Sequence, residues 1–206
     1  MTDIRLNELD ALELDALTEL VNLGVSRAAA SLATMAGEEV LLTVPAISTV
    51  SPEQAAEMIG GPRVGDMVAV EQIFAGDFAG RALLIFPESN SLELVRAVTG
   101  ADANPREIAE LASEALCETG NILLQACLGA IANMLHRTIG IAVPHLLRGR
   151  ARELFPHAAK SVVVFIYINF SLRGRRVRGY IALLLDLVTM ASLKTLLDEF
   201  IARETG

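Results

Sequence analysis

Apolar residues recur at helical intervals through Leu14, Leu17, Val21, Val25 and Ala28. This predicts a helix that begins at an Asn7 or Asp10 cap, with Glu13 at capping-box distance from Asp10, runs to about Met35 and stops at Gly37. Val40 to Val44 reads as a short strand closed by Pro45. Ser51, Pro52 and Gln54 have the spacing of a capped short helix with proline in its first turn, ended by Gly60, Gly61 and Pro62. Met67 to Phe74 and Arg81 to Phe86 are strand-like runs joined through Gly76 and Gly80, as in a β-hairpin. Ser89 or Asn90 is placed to cap a helix reaching about Val98, and Thr99 to Ala103 is the one stretch that resembles a joint.

The same order then returns. Asn104, Pro105 and Glu107 open a second long helix reaching about His136, Ile139 to Val143 repeats the short strand before Pro144, and Leu146 to Ala159 replaces the short helix less regularly. Val162 to Phe170 and Val177 to Leu185 repeat the hairpin, and Leu187 to Ala202 closes the chain with a helix. Polar positions repeat with the apolar ones. Asp15, Glu19, Asn22 and Pro45 have counterparts 99 residues later in Glu114, Glu118, Asn121 and Pro144. One ungapped offset holding four positions marks an internal duplication, with copies at about residues 7–100 and 104–203.

Each copy alone would be a three-stranded sheet with open edges, which is marginal in water. The expected fold is therefore α+β: one domain over residues 1–206 with pseudo-two-fold symmetry. About six mostly antiparallel strands would share a sheet beneath two long helices. On those helices, at about 100° per residue, Asp15, Glu19, Asn22 and Ser26 fall on one polar stripe, as do Glu114, Glu118, Asn121 and Gln125.

Composition narrows the chemistry. The chain has 206 residues, 52% apolar content, a formal charge of −8 and 4% aromatics. That is ample for a core, and it lacks the basic face and stacking platforms of a general nucleic-acid binder. Residues 1–100 hold 15 acids and 5 bases against 10 and 12 in residues 101–206, so the halves carry about −10 and +2. Cys117 and Cys127 share one predicted helix ten residues apart and read as reduced, cytosolic thiols rather than a disulfide or metal pair. Met1 to Leu14 alternates acids with leucines and does not read as a signal peptide. Thr119 to His136 has no charged residue but includes Asn121, Gln125 and Asn133, so it reads as a core helix and not a membrane span. His136, His145 and His157 are not duplicated and lack ligand spacing. No glycine-rich nucleotide fingerprint is present.

The duplicated Glu and Asn remain. On a single helix they would read as a solvated face. Asparagine in mid-helix, however, costs several tenths of a kcal/mol against alanine, and it recurs in both copies. A carboxamide can donate to and accept from a water, and a carboxylate one turn away can anchor a partner's cation. The acid, three residues, Glu, two residues, Asn, twenty-two residues, Pro pattern resembles that of the CheC, CheX and FliY phosphatases of chemotaxis, and two copies in one chain resemble CheC in particular. The resemblance implies hydrolysis of the aspartyl phosphate on a CheY-like response regulator, with Asn22 and Asn121 orienting the water and Glu19 and Glu118 meeting the regulator's lysine. Asp15, Glu114, Ser26 and Gln125 would support the site. It implies no metal or cofactor of the chain's own, Mg²⁺ being carried by the regulator, and CheD as a possible further partner. The first motif position is Asp or Ser in that family, so Asp15 fits while Glu114 departs from it, with Ser113 beside it. A non-catalytic adaptor that uses the stripes only to bind a response regulator or CheD is the competing expectation.

Overall fold

The protein is described by a computed structural model covering residues 9–37, 39–60, 66–99, 105–155, 161–172 and 175–205. Helix α1 spans Ala11–Ala36, and Asp10 caps it: its carboxylate accepts from the Glu13 amide while the Glu13 side chain accepts from the Asp10 amide. Gly37 ends it at φ 69°, a left-handed turn that glycine takes without strain. The sequence next forms β1 (Val40–Val50), α2 (Pro52–Ile59), β2 (Met67–Gly76), β3 (Gly80–Pro87) and α3 (Glu88–Thr99). The second copy supplies α4 (Pro105–Met134), β4 (Ile139–Ile141), β5 (His145–Gly149), α5 (Ala151–Leu154), β6 (Ser161–Leu172), β7 (Arg175–Asp186) and α6 (Leu187–Thr205). The expected cap at Asn104 and most of the joint between the copies lie outside the described residues.

Three local expectations are corrected. Pro45 does not end the first strand: β1 continues to Val50 and absorbs the proline in a register shift between Thr43 and Ala46. The strand lies at the sheet edge, where an imide nitrogen deprives no neighbour of a donor. After Pro144 the chain forms a further strand, β5, before its short helix, so the described residues make a seven-stranded sheet and not one of about six. Helix α3 starts at Glu88, directly after β3, one or two residues before the expected Ser89 or Asn90 cap.

The strand order is β1-β6-β7-β3-β2-β4, with β5 also on β2, and every pairing is antiparallel. At the centre, Leu83 faces Ala182, its own counterpart 99 residues on, and Arg81↔Leu184 is mirrored by Ile85↔Tyr180. The β3–β7 seam is therefore the pseudo-two-fold axis. Each copy also lends its opening strand to the other: β1 pairs with β6, while β4 and β5 pair with β2. The two copies are thus joined at the centre and again at both edges.

Alternation along the strands feeds two apolar layers. Val68, Val70, Phe74, Leu84, Ile166 and Ile168 face α1, α4, α3 and α6 in the larger core. Met67, Ala69, Leu83, Phe165 and Ala182 face the short helices α2 and α5 on the other side. Helix α4 is long and apolar enough to cross a membrane between Leu111 and Met134. Within it Leu116, Leu123, Leu124 and Leu128 are buried against the sheet and neighbouring helices.

Candidate functional site

Helices α1 and α4 cross at the motif. A side chain at Gly24 would bring its Cβ within 2.6 to 2.9 Å of the Cys127 backbone and the Ala126 carbonyl, so only glycine permits this approach. Burying Leu17, Leu20, Val21 and Val25 of α1 turns the opposite side outward. Asp15, Glu19, Asn22 and Ser26 accordingly line an open depression of about 430 Å³ with Thr18 and Leu23. The stripe is assembled as the spacing predicts. Ser26 donates its hydroxyl to the Asn22 backbone carbonyl at 2.8 Å, so it does not hold the Asn22 amide. Among the described residues the side chains of Asp15, Glu19 and Asn22 have no hydrogen-bond or ion-pair partner. Glu13, by contrast, is buried, accepts from the Asp10 amide at 2.6 Å and pairs with Lys194 at 2.8 Å. The unpaired acids therefore belong to the stripe, while Glu13 holds the helix start.

The second stripe differs at its asparagine. Glu114, Glu118 and Gln125 are exposed, but Asn121 is half-buried. Its Oδ1 accepts from Gln125 Nε2 at 2.6 Å and from Gln72 Nε2 at 2.9 Å. Gln72 is fully buried on β2, and its Nε2 also donates to the Ala142 carbonyl at 3.0 Å. Gly120 makes this reach possible: a Cβ there would come within 2.5 Å of Val70, so α4 lies against β2 where no side chain fits. The corresponding position in α1 is the buried Val21. Sequence reasoning missed Gln72. Its signal was one polar residue in the alternation Val68, Val70, Gln72, Phe74, all otherwise apolar and facing the helices.

A second signal also went unread. Leu12 and Leu111 are 99 residues apart, and both are exposed, at 66% and 45%. Seven residues before Glu19, Leu12 lies within about 20° of it around the helix, two turns away, and Leu111 stands in the same relation to Glu118. Each stripe therefore has an apolar side chain at its N-terminal end.

Other candidates contribute little. His136 and His145 are exposed, and His157 lies outside the described residues. Among the described residues no three of His, Cys, Asp and Glu gather as a ligand set. Burial pushes the Cys127 thiol up to about 12 and raises Cys117 as well, which keeps both from acting as thiolate nucleophiles near neutral pH. What the arrangement offers is one exposed carboxylate and carboxamide pair, Glu19 and Asn22, and a second, Glu118 and Asn121, whose amide oxygen is already hydrogen-bonded.

The fold is shared with known proteins. Thermotoga maritima FliY superposes with a TM-score of 0.74 over 93% of this chain and 98% of that one, at 16% identity. In sequence, residues 12–49, which contain the whole first copy of the motif, match the CheC-like family. The Bacillus subtilis CheY-P phosphatase CheC is 26% identical over 137 residues, 65% of each chain. CheC1 of Halobacterium salinarum is 24% identical over 152 residues, 72% of this chain and 75% of its own. In its fold, and over residues 12–49 in its sequence, the chain is similar to CheC-like proteins of chemotaxis.

Proposed function

We propose that the chain removes the phosphoryl group from the aspartyl phosphate of a CheY-like response regulator. The observation that carries this reading is the solvent-facing pair of Glu19 and Asn22, unpartnered among the described residues, whose residue types and spacing recur in the sequence at Glu118 and Asn121. Fold alone would not suffice, because one architecture can host many functions. The relatives' names support the substrate class, since the Bacillus subtilis protein is a CheY-P phosphatase.

The chemistry then divides between two molecules. The regulator brings the acyl phosphate and its Mg²⁺, so a metal on this chain is not required. Glu19 or Glu118 meets a lysine of the regulator in a charge-assisted contact that becomes stronger as water leaves the interface. The carboxamide of Asn22 or Asn121 accepts from a water and holds it in line with the phosphorus, which lowers the barrier chiefly by positioning. Attack forms a bond from the water oxygen to phosphorus and breaks the bond from phosphorus to the aspartyl oxygen. The products are inorganic phosphate and the regulator's free carboxylate. Leu12 and Leu111 extend the contact with apolar surface next to the carboxylates.

The test is single-turnover phosphate release from a regulator charged with acetyl phosphate and Mg²⁺, with and without the chain. Acceleration that persists after the chain has been stripped of metal and repurified supports the reading. Binding without acceleration would overturn it in favour of an adaptor that only docks through the stripes.

A further inference from the structure

The geometry points to unequal sites: Gln72 and Gln125 withhold the Asn121 carbonyl oxygen, so Asn22 carries most of the hydrolysis and the second stripe is held in reserve. This inference rests on the phosphatase reading and adds a residue, Gln72, that lies outside both motif copies.

An amide oxygen has two acceptor positions. At Asn121 both are filled, by Gln125 Nε2 at 2.6 Å and Gln72 Nε2 at 2.9 Å. A water that must donate to that oxygen while its lone pair faces phosphorus has no vacant acceptor there. At Asn22 the amide is exposed and lines the open depression, so the acceptor is available. The clamp has a rigid side and a loose side. Gln72 is 0% exposed, and its second bond, to the Ala142 carbonyl, ties it to the segment between β4 and β5. Its Oε1 is buried and unpartnered among the described residues, a desolvation cost that an apolar residue would not incur. Gln125 is exposed and held only from its own helix one turn away, so a docking partner can displace it. The pair thus makes turnover at the second site depend on breaking a local contact first. Gln72 and Gln125 are positioning residues, since neither need touch the phosphate.

The experiment uses the full chain and a CheY-like regulator of the same organism charged with acetyl phosphate. Asn22→Ala should lower turnover by about tenfold, while Asn121→Ala should cost less than about half. In the Asn22→Ala background, adding Gln125→Ala should raise turnover about threefold or more with KM little changed, because an acceptor is freed and the Glu118 carboxylate that meets the partner is kept. Gln72→Leu, close in volume and apolar, should do the same. If it impairs folding, the exposed Gln125→Ala still decides the matter. A larger loss from Asn121→Ala than from Asn22→Ala would overturn the inference, as would an unchanged or lower rate on adding Gln125→Ala. Side-chain amide NMR of the free chain supplies a readout independent of activity. Gln125→Ala and Gln72→Leu should each shift the Asn121 carboxamide pair and leave that of Asn22 in place. An unmoved Asn121 pair would refute the clamp. A parent chain that does not hydrolyse the regulator at all would instead defeat the phosphatase reading while the NMR result stands.

Discussion

Positions 22 and 121 carry the same residue on equivalent helices, yet one amide is free among the described residues and the other has both acceptor positions filled. The stripes account for part of this: Glu19 and Glu118 are exposed in both copies, but Gln125 stands where the first stripe has Ser26, and it donates to the Asn121 oxygen while Ser26 bonds the Asn22 backbone carbonyl. The rest of the difference arises in the layer beneath. Under α4 the sheet presents Gln72, and the glycine at 120 lets the helix lie close enough to reach it, whereas α1 carries Val21 at the corresponding position and makes its close approach at Gly24, against α4. A motif's spacing fixes which side chains share a face. Their availability for chemistry is set by residues the motif does not contain.

The severest way to break the comparison is to separate the copies. Because β1 pairs with β6 and β4 and β5 pair with β2, each half-chain would lose partners for its opening strand, its hairpin and its β3 or β7 edge. Residues 1–100 and 101–206 expressed apart should therefore give no cooperative unfolding transition in urea. Each would expose strand edges and apolar faces such as Val163 to Ile168. Co-expression should recover a folded complex. Two soluble halves that each unfold cooperatively would show that the shared sheet is dispensable.

Removing both amides comes next. Asn22→Ala with Asn121→Ala should slow hydrolysis on the order of 10²-fold, the usual loss for one well-placed polar group acting on a transition state. Affinity for the phosphorylated regulator should stay nearly unchanged, because the carboxylates remain. Parallel turnover and binding measurements decide this, and a parental rate would leave the stripes as docking surfaces only. Reversing the carboxylates should produce the opposite split. Glu19→Lys with Glu118→Lys sets a cation against the partner's cation, and association should weaken by about tenfold, most visibly at low salt, where screening is least. Titration at two ionic strengths checks both the size and the salt dependence; a salt-independent loss would assign the effect to packing.

Much of this architecture could be read from local chemistry, and the remainder depended on distant pairing. The caps at Asp10 and Ser51, the stop at Gly37 and both hairpins followed from residues within a few positions of one another, and the structure contains all of them. The stripes followed from helical periodicity. Pro45 misled because proline ends an interior strand but is tolerated at an edge, and β1's place at the edge is set by β6, more than a hundred residues away. Strand β5 went unread because its partner is β2, on the far side of the duplication. Gln72 was visible as a polar break in an apolar alternation, but nothing in the sequence said that Asn121 lies above it.

The smallest contrast is at the start of the closing helices. Asp186, before α6, accepts from the Thr189 backbone amide at 2.7 Å. The corresponding position before α3 is Pro87, 99 residues earlier, which has no side-chain acceptor to offer. Asp186→Ala should therefore cost about 1 kcal/mol, the usual value of a lost N-cap, whereas Pro87→Ala removes no cap bond. The Thr189 backbone bond, the largest cause, holds the Asp186 carboxyl below its ordinary value. A group whose folded pKa is depressed contributes fully above its unfolded pKa and loses that contribution as pH falls through the folded one. The gap between parent and Asp186→Ala should accordingly be constant at neutral pH and close on acidification through and below the ordinary carboxylate range. Urea unfolding of both proteins across that range measures it. A gap that persisted in acid would mean that Asp186 stabilises the helix by packing and not by its charge-assisted cap.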